Sequence, residues 1–581
     1  MALLGCTAGF SAGGEVPGDD ASERFAAHSR LFADETVELP GKGVHVFLNA
    51  GGFASNIAVI EGPDGLVFID SGVTSTHARI VLDRVRQFTH KRVAAIVYTH
   101  HHMDHTGGAG VLLDGQDAGR VRIIAAANFM REYTSENLTI APVWSLRAVY
   151  QFGTVLRGAE ARDYHLGCCG AFRNDGEASF VEPDTLIEDA RELQIAGLRL
   201  RFFRMGGESP TALGVHLPDL GVAFVGDEMQ GPTFPQLHAP RGSRFRDANR
   251  WIAGLDAVRA LDIEALVPSH GRPFLGRAQI RDNLTAYRDA IQYTHDQAIR
   301  FINKGYDPDQ LAAKLHALPG YLQTPITGEF YGTVASSVRS LYSGYISWFS
   351  GDAVDIAPLP ERERARRMLV LMGGRARVLE QAQGALEGGE YQWAAELATL
   401  VIRADDDADA RAMKARALRE LGERQTSSTF RSWYFTSAME LEGDPAIDRA
   451  HAKWLGTLLS DRNLAQQPAA QLLDQLRFRV NADVARDTHL RIGFRFTDAD
   501  EASSVELRHS IIEVSPGLEG DLDAMVTMPK ALFGRMLRGE TTFSQGIGNG
   551  TITVSGDHSR AEELFSCVDF TYPGIRLNGA K

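Results

Sequence analysis

The sequence predicts an α/β region, then an all-α region, then an α+β tail, and three stretches carry that prediction. From about residue 43, VHVFLNAGGFASNIAVIEGPDGLVFIDSG alternates short Val/Ile/Phe runs with Gly, Asn and Pro-Asp-Gly breaks, the pattern of consecutive strands and a hairpin. Further on, YQWAAELATLVIRADDDADARAMKARALRELG keeps helical periodicity through two turns of charge and reads as a paired-helix unit. Near the end, DAMVTMPKALFGRMLRGETTFSQGIGNGTITVSGD runs strand, helix, glycine-rich turn and strand.

A chain of 581 residues is too long for one core and divides into roughly three or four domains. The opening MALLGCTAGFSAGG is rich in small residues. It reads either as a flexible leader over 1–38 or as the end of a bacterial lipoprotein signal around Leu-Leu-Gly-Cys, so a periplasmic or lipid-anchored location stands beside a cytoplasmic one. Residues 39–275 mix strand and helix: the helical HARIVLDRVRQF, then strands at VAAIVYT, LRLRFFR and GVAFVGD. Residues 276–440 turn helical, with LTAYRDAIQYTHDQAIRFINKG ending on a glycine cap. Residues 450–581 form the α+β tail, which carries no cluster of catalytic side chains.

Composition excludes several classes. A formal net charge of −14 without any Lys/Arg-rich run excludes nucleic acid as a partner. No apolar run approaches the roughly 20 residues that span a bilayer. Four cysteines without a CxxC pair make neither a disulfide scaffold nor a thiolate zinc site, so a metal would be held by His and carboxylates.

The segment IVYTHHHMDHTGGAG supplies such ligands. His100, His102, Asp104 and His105 form HxHxDH at the end of a strand, where alternate side chains share a face and the turn that follows presents the rest. One segment can therefore serve two ions. Burying so many titratable side chains without a cation would be costly. His101 breaks the spacing and reads as a bystander, while Gly107 and Gly108 are expected to let the chain turn tightly.

This motif, placed after FIDSG and before a second Gly-Asp strand, resembles the metallo-β-lactamase superfamily, whose αββα sandwich holds a metal pair at the sheet edge. Glu208 in MGGESPTAL stands where that superfamily has a third histidine, a feature of its alkyl sulfatase branch. SENLTIAPVWSLRAVYQFG, PRGSRFRDANRW, EFYGTVASSVRSLYSGYISWFSGD, LMGG and EYQWAAEL resemble further segments of that branch, including its helical dimerisation domain. The tail is similar to its sterol-carrier-protein-2-like domain.

The resemblance implies two zinc ions, one held by His100, His102 and Glu208, the other by Asp104, His105 and His270 of LVPSHG. Asp227 would bridge them, with Asp104 and Asp227 as the catalytic carboxylates. Glu228 competes for the bridging place, but strand alternation out of VAFVG favours Asp227. The ions would lower the pKa of bound water to about 7 and supply a nucleophile. Tyr150 and Arg241, with Arg147 nearby, are implied as sulfate contacts. The substrate implied is an alkyl sulfate and the assembly a homodimer, through helices that include Tyr391, Trp393, Leu397 and Leu400. The tail is expected to guide the apolar part of the substrate.

Two departures stand against the branch pattern. GTVASS places Ala335, Ser336 and Ser337 where the branch reads Ser-His-Asn, which removes a candidate general acid worth ~10²- to 10⁴-fold. Cys168 and Cys169 in YHLGCCGAF replace a glycine-rich stretch, as an altered pocket wall or as small buried residues. Hydrolysis of another ester, lactone, lactam or thioester therefore remains open, as does a role as a binder of apolar ligands.

Overall fold

The computed structural model describes residues 18–117, 120–572 and 574–579. The Leu-Leu-Gly-Cys stretch lies outside these residues. A first sheet of seven strands runs in the order β1 (Glu35–Leu39), β2 (Val44–Leu48), β3 (Ile57–Gly62), β4 (Gly65–Ile69), β5 (Val93–Val97), β6 (Arg122–Ala126) and β7 (Thr185–Ile187). β1 to β4 pair antiparallel and β4 to β7 parallel. The second sheet has the order β13 (Phe274–Leu275), β12 (Ala265–Val267), β11 (Val222–Phe224), β10 (Leu213–Leu217), β9 (Leu198–Arg204) and β8 (Ala190–Ile195).

Strand periodicity explains how the layers stack. Val67, Ile69 and Val97 point inward against Phe202, Val215 and Phe224 of the second sheet. Their neighbours Phe68 and Ile96 face out, onto Val81, Leu82 and Val85 of the helix Ser75–Val85. Both faces are covered, so these strands are continuously apolar rather than alternating. On the far side, Trp251 and Leu255 of the helix Ala248–Arg259 share a core with Leu266 and with Leu284, Tyr287 and Ile291 of the long helix Arg277–Ile302. The result is an αββα sandwich.

Residues 18–38 are not a loose leader. A helix over Gly18–Ser29 buries Phe25, whose ring stacks 4.1 Å from that of His165, and His28 Nε2 lies 2.7 Å from Gly167 O. Burial pushes the His28 imidazole down to about 4, so it packs neutral against the loop 165–170.

The helices Glu361–Leu371, Arg375–Glu387, Tyr391–Ala404, Ala408–Glu423 and Ser428–Leu441 form an all-α layer around Val378, Leu386, Leu397 and Leu418. The tail builds a five-stranded sheet in the order β16 (Ile511–Pro516), β15 (Glu501–Arg508), β14 (Leu490–Phe496), β17 (Ala524–Met528), β18 (Thr553–Gly556). Its core, which includes Phe494, Val526 and Phe533, also takes in Leu138 and Ala141 of the first region. No described helix is long and apolar enough to cross a membrane.

Candidate metal centre

Five loops that follow strands meet at one edge of the sandwich. After β4, Asp70 takes the left-handed conformation at φ 63°, which costs about 1–3 kcal/mol in a non-glycine residue. Its carboxylate recovers this by accepting four hydrogen bonds: from Thr99 N (2.8 Å), Thr99 Oγ1 (3.0 Å), Ser269 Oγ (2.6 Å) and His105 Nδ1 (2.8 Å). Bonds to an ionised acceptor contribute about 1.5–3 kcal/mol each, so the strained backbone is held. Asp70 thus ties together the loops that carry His100–His105 and His270.

After β5 the chain passes through His100, His101 and His102 into the single turn Met103–Thr106. Gly107 and Gly108 have ordinary negative φ, −73° and −112°, so no special turn demands them. They are needed for space: a Cβ on either would collide with the carbonyl oxygens of Val73 or Ser71. The turn is thereby pressed onto the end of β4.

The clustered side chains form two overlapping sets. His100 Nε2 lies 2.8 Å from His102 Nδ1 and 3.6 Å from Glu208 Oε2, and His102 Nδ1 lies 3.5 Å from Glu208 Oε1. In the second set, Asp104 Oδ2 is 3.3 Å from His105 Nε2 and 3.4 Å from His270 Nε2. Asp227 belongs to both: Oδ1 is 3.6 Å from His105 Nε2, Oδ2 is 3.2 Å from His270 Nε2, and the residue also shares a ligating group with His100. Burial alone would lower the His105 and His270 pKa values, but Asp104, Asp227 and Asp70 hold His105 well above the ordinary range, and Asp227 and Asp104 do the same for His270. The carboxylates of the cluster draw positive charge.

These side chains form groups that could hold metal. His105 Nε2, Glu208 Oε2 and Asp227 Oδ1 are buried polar atoms with no hydrogen-bond partner, and all three point into the cluster. A buried orphan of this kind costs about 1–3 kcal/mol, more when charged, unless something coordinates it. Nitrogen and carboxylate donors without thiolate in the two sets suit zinc. His101 stays out, with Nδ1 2.8 Å from Thr211 Oγ1 and Nε2 3.2 Å from Glu136 Oε2.

Comparison with known proteins settles the lineage. A metallo-β-lactamase superfamily model matches residues 50–270, an alkyl sulfatase dimerisation model 307–444 and an alkyl sulfatase C-terminal model 457–574. A linear primary-alkylsulfatase from a Pseudomonas species is 37% identical over 529 residues, covering 89% of this chain and 99% of its own. The chain belongs to the alkylsulfatase family. An (R)-specific secondary-alkylsulfatase from Pseudomonas is 30% identical over 538 residues, 90% of this chain and 79% of that protein. The structure of the stereoselective inverting sec-alkylsulfatase Pisa1 from Pseudomonas superposes with a TM-score of 0.86 at 28% identity, covering 96% of this chain and 88% of that one.

In this alkylsulfatase the expected sulfate contacts take different places. Arg241 is buried over the rings of Trp144 and Phe152, 5.2 and 5.7 Å from their centroids, with Nη2 3.4 Å from Glu136 Oε1 and its Nε free of partners. Arg147 instead braces the backbone of that loop, donating from Nε to Pro240 O (3.0 Å) and Arg241 O (3.1 Å). Tyr150 is fully buried, and its hydroxyl donates to Glu440, itself bonded by the amides of Leu577 and Asn578. That hydroxyl faces the helical layer rather than the metal cluster. Ser336 lies in the first turn of the helix Val334–Ile346, where its amide donates to Oγ1 of the capping Thr333 at 3.2 Å, and it lines a cavity of about 580 Å³ with His238, Glu329 and Arg339.

Three residues that sequence reasoning left unassigned join the site. Glu136 sits on a π-helical turn, Ser135–Thr139, and its carboxylate meets His101, His102 (3.5 Å) and Arg241. Arg246 pairs with Glu208 Oε1 and donates from Nη1 to Gln236 O at 2.6 Å. Asp70 is the third. Both Glu136 and Arg246 fall inside motifs of the branch, which was the available signal.

Glu228 turns away from Asp227. Its Oε1 accepts from the amides of Gly206 (3.2 Å), Gly207 (2.8 Å) and Glu208 (3.2 Å), so it anchors the loop that presents Glu208. Asp227→Ala is therefore expected to lose metal and turnover, whereas Glu228→Gln, which keeps an acceptor for the three amides, should retain both. Elemental analysis after zinc loading decides; the opposite pattern would make Glu228 the shared ligand.

Proposed function

We propose that the chain hydrolyses sulfate esters of alkyl chains at a two-zinc centre held by His100, His102 and Glu208 on one side, by Asp104, His105 and His270 on the other, and by Asp227 between them. The observation that carries this reading is the convergence of His105 Nε2, Glu208 Oε2 and Asp227 Oδ1, all buried and unpartnered, at the loop edge of an alkylsulfatase fold. Zinc bound there would supply Lewis acidity and a water whose pKa falls to about 7.

The chain's own residues account for the rest of the chemistry. Asp104, with 18% of its side chain exposed, is the open face of an otherwise closed cluster and marks where water and ester enter. Arg241 lies behind Glu136 and Arg246 behind Glu208, and each has an Nε without a partner, so the wall beside the cluster is cationic and suits an anionic ester. Trp144 and Phe152 exclude water from the Arg241 face, which strengthens its charge–charge interactions. His105 is fixed through Nδ1 by Asp70, which leaves Nε2 for the cluster.

Where the S–O bond breaks and the alkoxide departs, that oxygen needs a proton, and the position that would carry a histidine is Ser336. His238 lines the same cavity, but burial and the charges of Arg246 and Arg147 push it down to about 4, so it is neutral near pH 7 and a poor acid. This favours esters with good leaving groups, and it gives specific support to the second reading, hydrolysis of another ester, lactone, lactam or thioester. Sulfate release from dodecyl sulfate, with two zinc ions per chain by elemental analysis, is the expected result. Turnover of acyl esters or a chromogenic lactam in its place would select the second reading, and one ion or none would remove the two-ion centre. Ser336→His is expected to raise the rate on dodecyl sulfate by at least tenfold and leave an activated aryl sulfate nearly unchanged; equal effects on both would separate position 336 from leaving-group protonation.

A homodimer through the helical layer completes the proposal. Trp348, Val354, Ile356, Val370 and Leu371 are 64–82% exposed, a concentration of apolar surface on neighbouring segments that a second copy would cover. Leu397 is committed to the core of the layer, so of the residues expected at the interface Trp393, 49% exposed, is the better placed. Light scattering at micromolar concentration should give a dimer mass, and Val370→Glu with Leu371→Glu should give a monomer; a wild-type monomer would end this part of the reading.

A further inference from the structure

Beside His270 lies a pair of thiols that the two ligand sets do not use. Cys168 and Cys169 are 2% and 0% exposed, their Sγ atoms are 2.8 Å apart, and both sulfurs fall within 4.8 Å of a ring nitrogen of His270. Both thiols are therefore placed to reach an ion held at His270, and Cys169 is the more deeply buried of the two.

The backbone is built to bring them there. Gly231 (φ 71°) and Gly271 (φ 78°) flank the bridge between Gln230 and His270, and a Cβ on Gly231 would collide with Cys168 O. The position of a Cβ on Gly271 lies 3.6 Å from the same oxygen. Three loops therefore stack in van der Waals contact only because two of their residues are glycines. From the other side, His28 contacts Gly167 O, and Gly167 N donates to His165 Nδ1 at 2.8 Å, which clamps the thiol loop onto the cluster.

We propose that Cys169 is a further metal ligand, a thiolate added to the ion held by Asp104, His105 and His270, with Cys168 packed behind it. This rests on the two-ion reading above. The thiol releases its proton to solvent as the metal–sulfur bond forms. Asp104, Glu208 and Asp227 set three negative charges against the four positive charges of two divalent ions, and a thiolate brings the sum to zero. The second site should then retain its ion more tightly and prefer zinc or a softer ion to manganese.

X-ray absorption at the zinc edge on the purified enzyme tests this without relying on activity. The expected spectrum contains a sulfur scatterer at ~2.3 Å, at about one sulfur per two zinc ions, which is absent in Cys169→Ser and present in Cys168→Ser. Should the variants fail to fold, the cobalt-loaded wild type carries the test alone, through a near-ultraviolet sulfur-to-cobalt charge-transfer band. Two ions bound in a shell of nitrogen and oxygen only, or no such band, would overturn the thiolate ligand and leave the two-ion centre intact. No bound metal would overturn both.

Discussion

Everything at the loop edge follows from the cost of burying carboxylates beside imidazoles. Asp227 and Glu208 are 7% and 3% exposed, yet each leaves an oxygen without a hydrogen bond, a state that persists only where cationic charge is at hand. The surroundings keep those atoms free while satisfying the groups beside them. Oε1 of Glu208 takes Arg246, the amides beside it go to Glu228, and the opposite nitrogen of His105 goes to Asp70. Breaking one such buried pair would cost about 3–5 kcal/mol, because the partner left behind stays charged. Stability and site geometry are therefore the same problem here.

That arrangement also explains which parts could be read from the sequence. HxHxDH was legible because its ligands lie within six positions, so strand and turn periodicity alone place them together. The α/β character of the first region was legible because its strands read as short apolar runs, whereas the αββα sandwich came from family likeness. Glu208, Asp227 and His270 needed family likeness, since nothing local marks a glutamate in Gly-Gly-Glu-Ser as facing a histidine more than 100 positions away. Asp70 escaped because its function lies in partners 29, 35 and 199 positions distant. Tyr150 shows the limit of likeness: a motif can carry the residue while the tail, through Leu577 and Asn578, fixes the Glu440 that captures its hydroxyl.

The glycines divide along the same line. From sequence, Gly107 and Gly108 suggest a turn, whereas the structure uses them to let two chain segments touch. A motif tells that a side chain is small, but only the fold tells what comes close to it.

Two arginines stand one carboxylate away from the candidate ligands. Glu136 is shared among His101, His102 and Arg241, and Glu208 among His100, His102 and Arg246, so one carboxylate stands between each guanidinium and the candidate ligands. An anion engaging Arg241 or Arg246 would compete with that carboxylate for N–H donors. In the proposed reading, substrate binding would thus be coupled to ligand orientation through Glu136 and Glu208, which stand 3.2 Å from His101 and 3.6 Å from His100. The tail enters this circuit at one point: Thr134, immediately before the π-helical turn of Glu136, is held by Gln471 at 2.8 Å, and Leu138 of that turn is buried in the tail's core. The C-terminal region is thus fastened to the turn that carries Glu136.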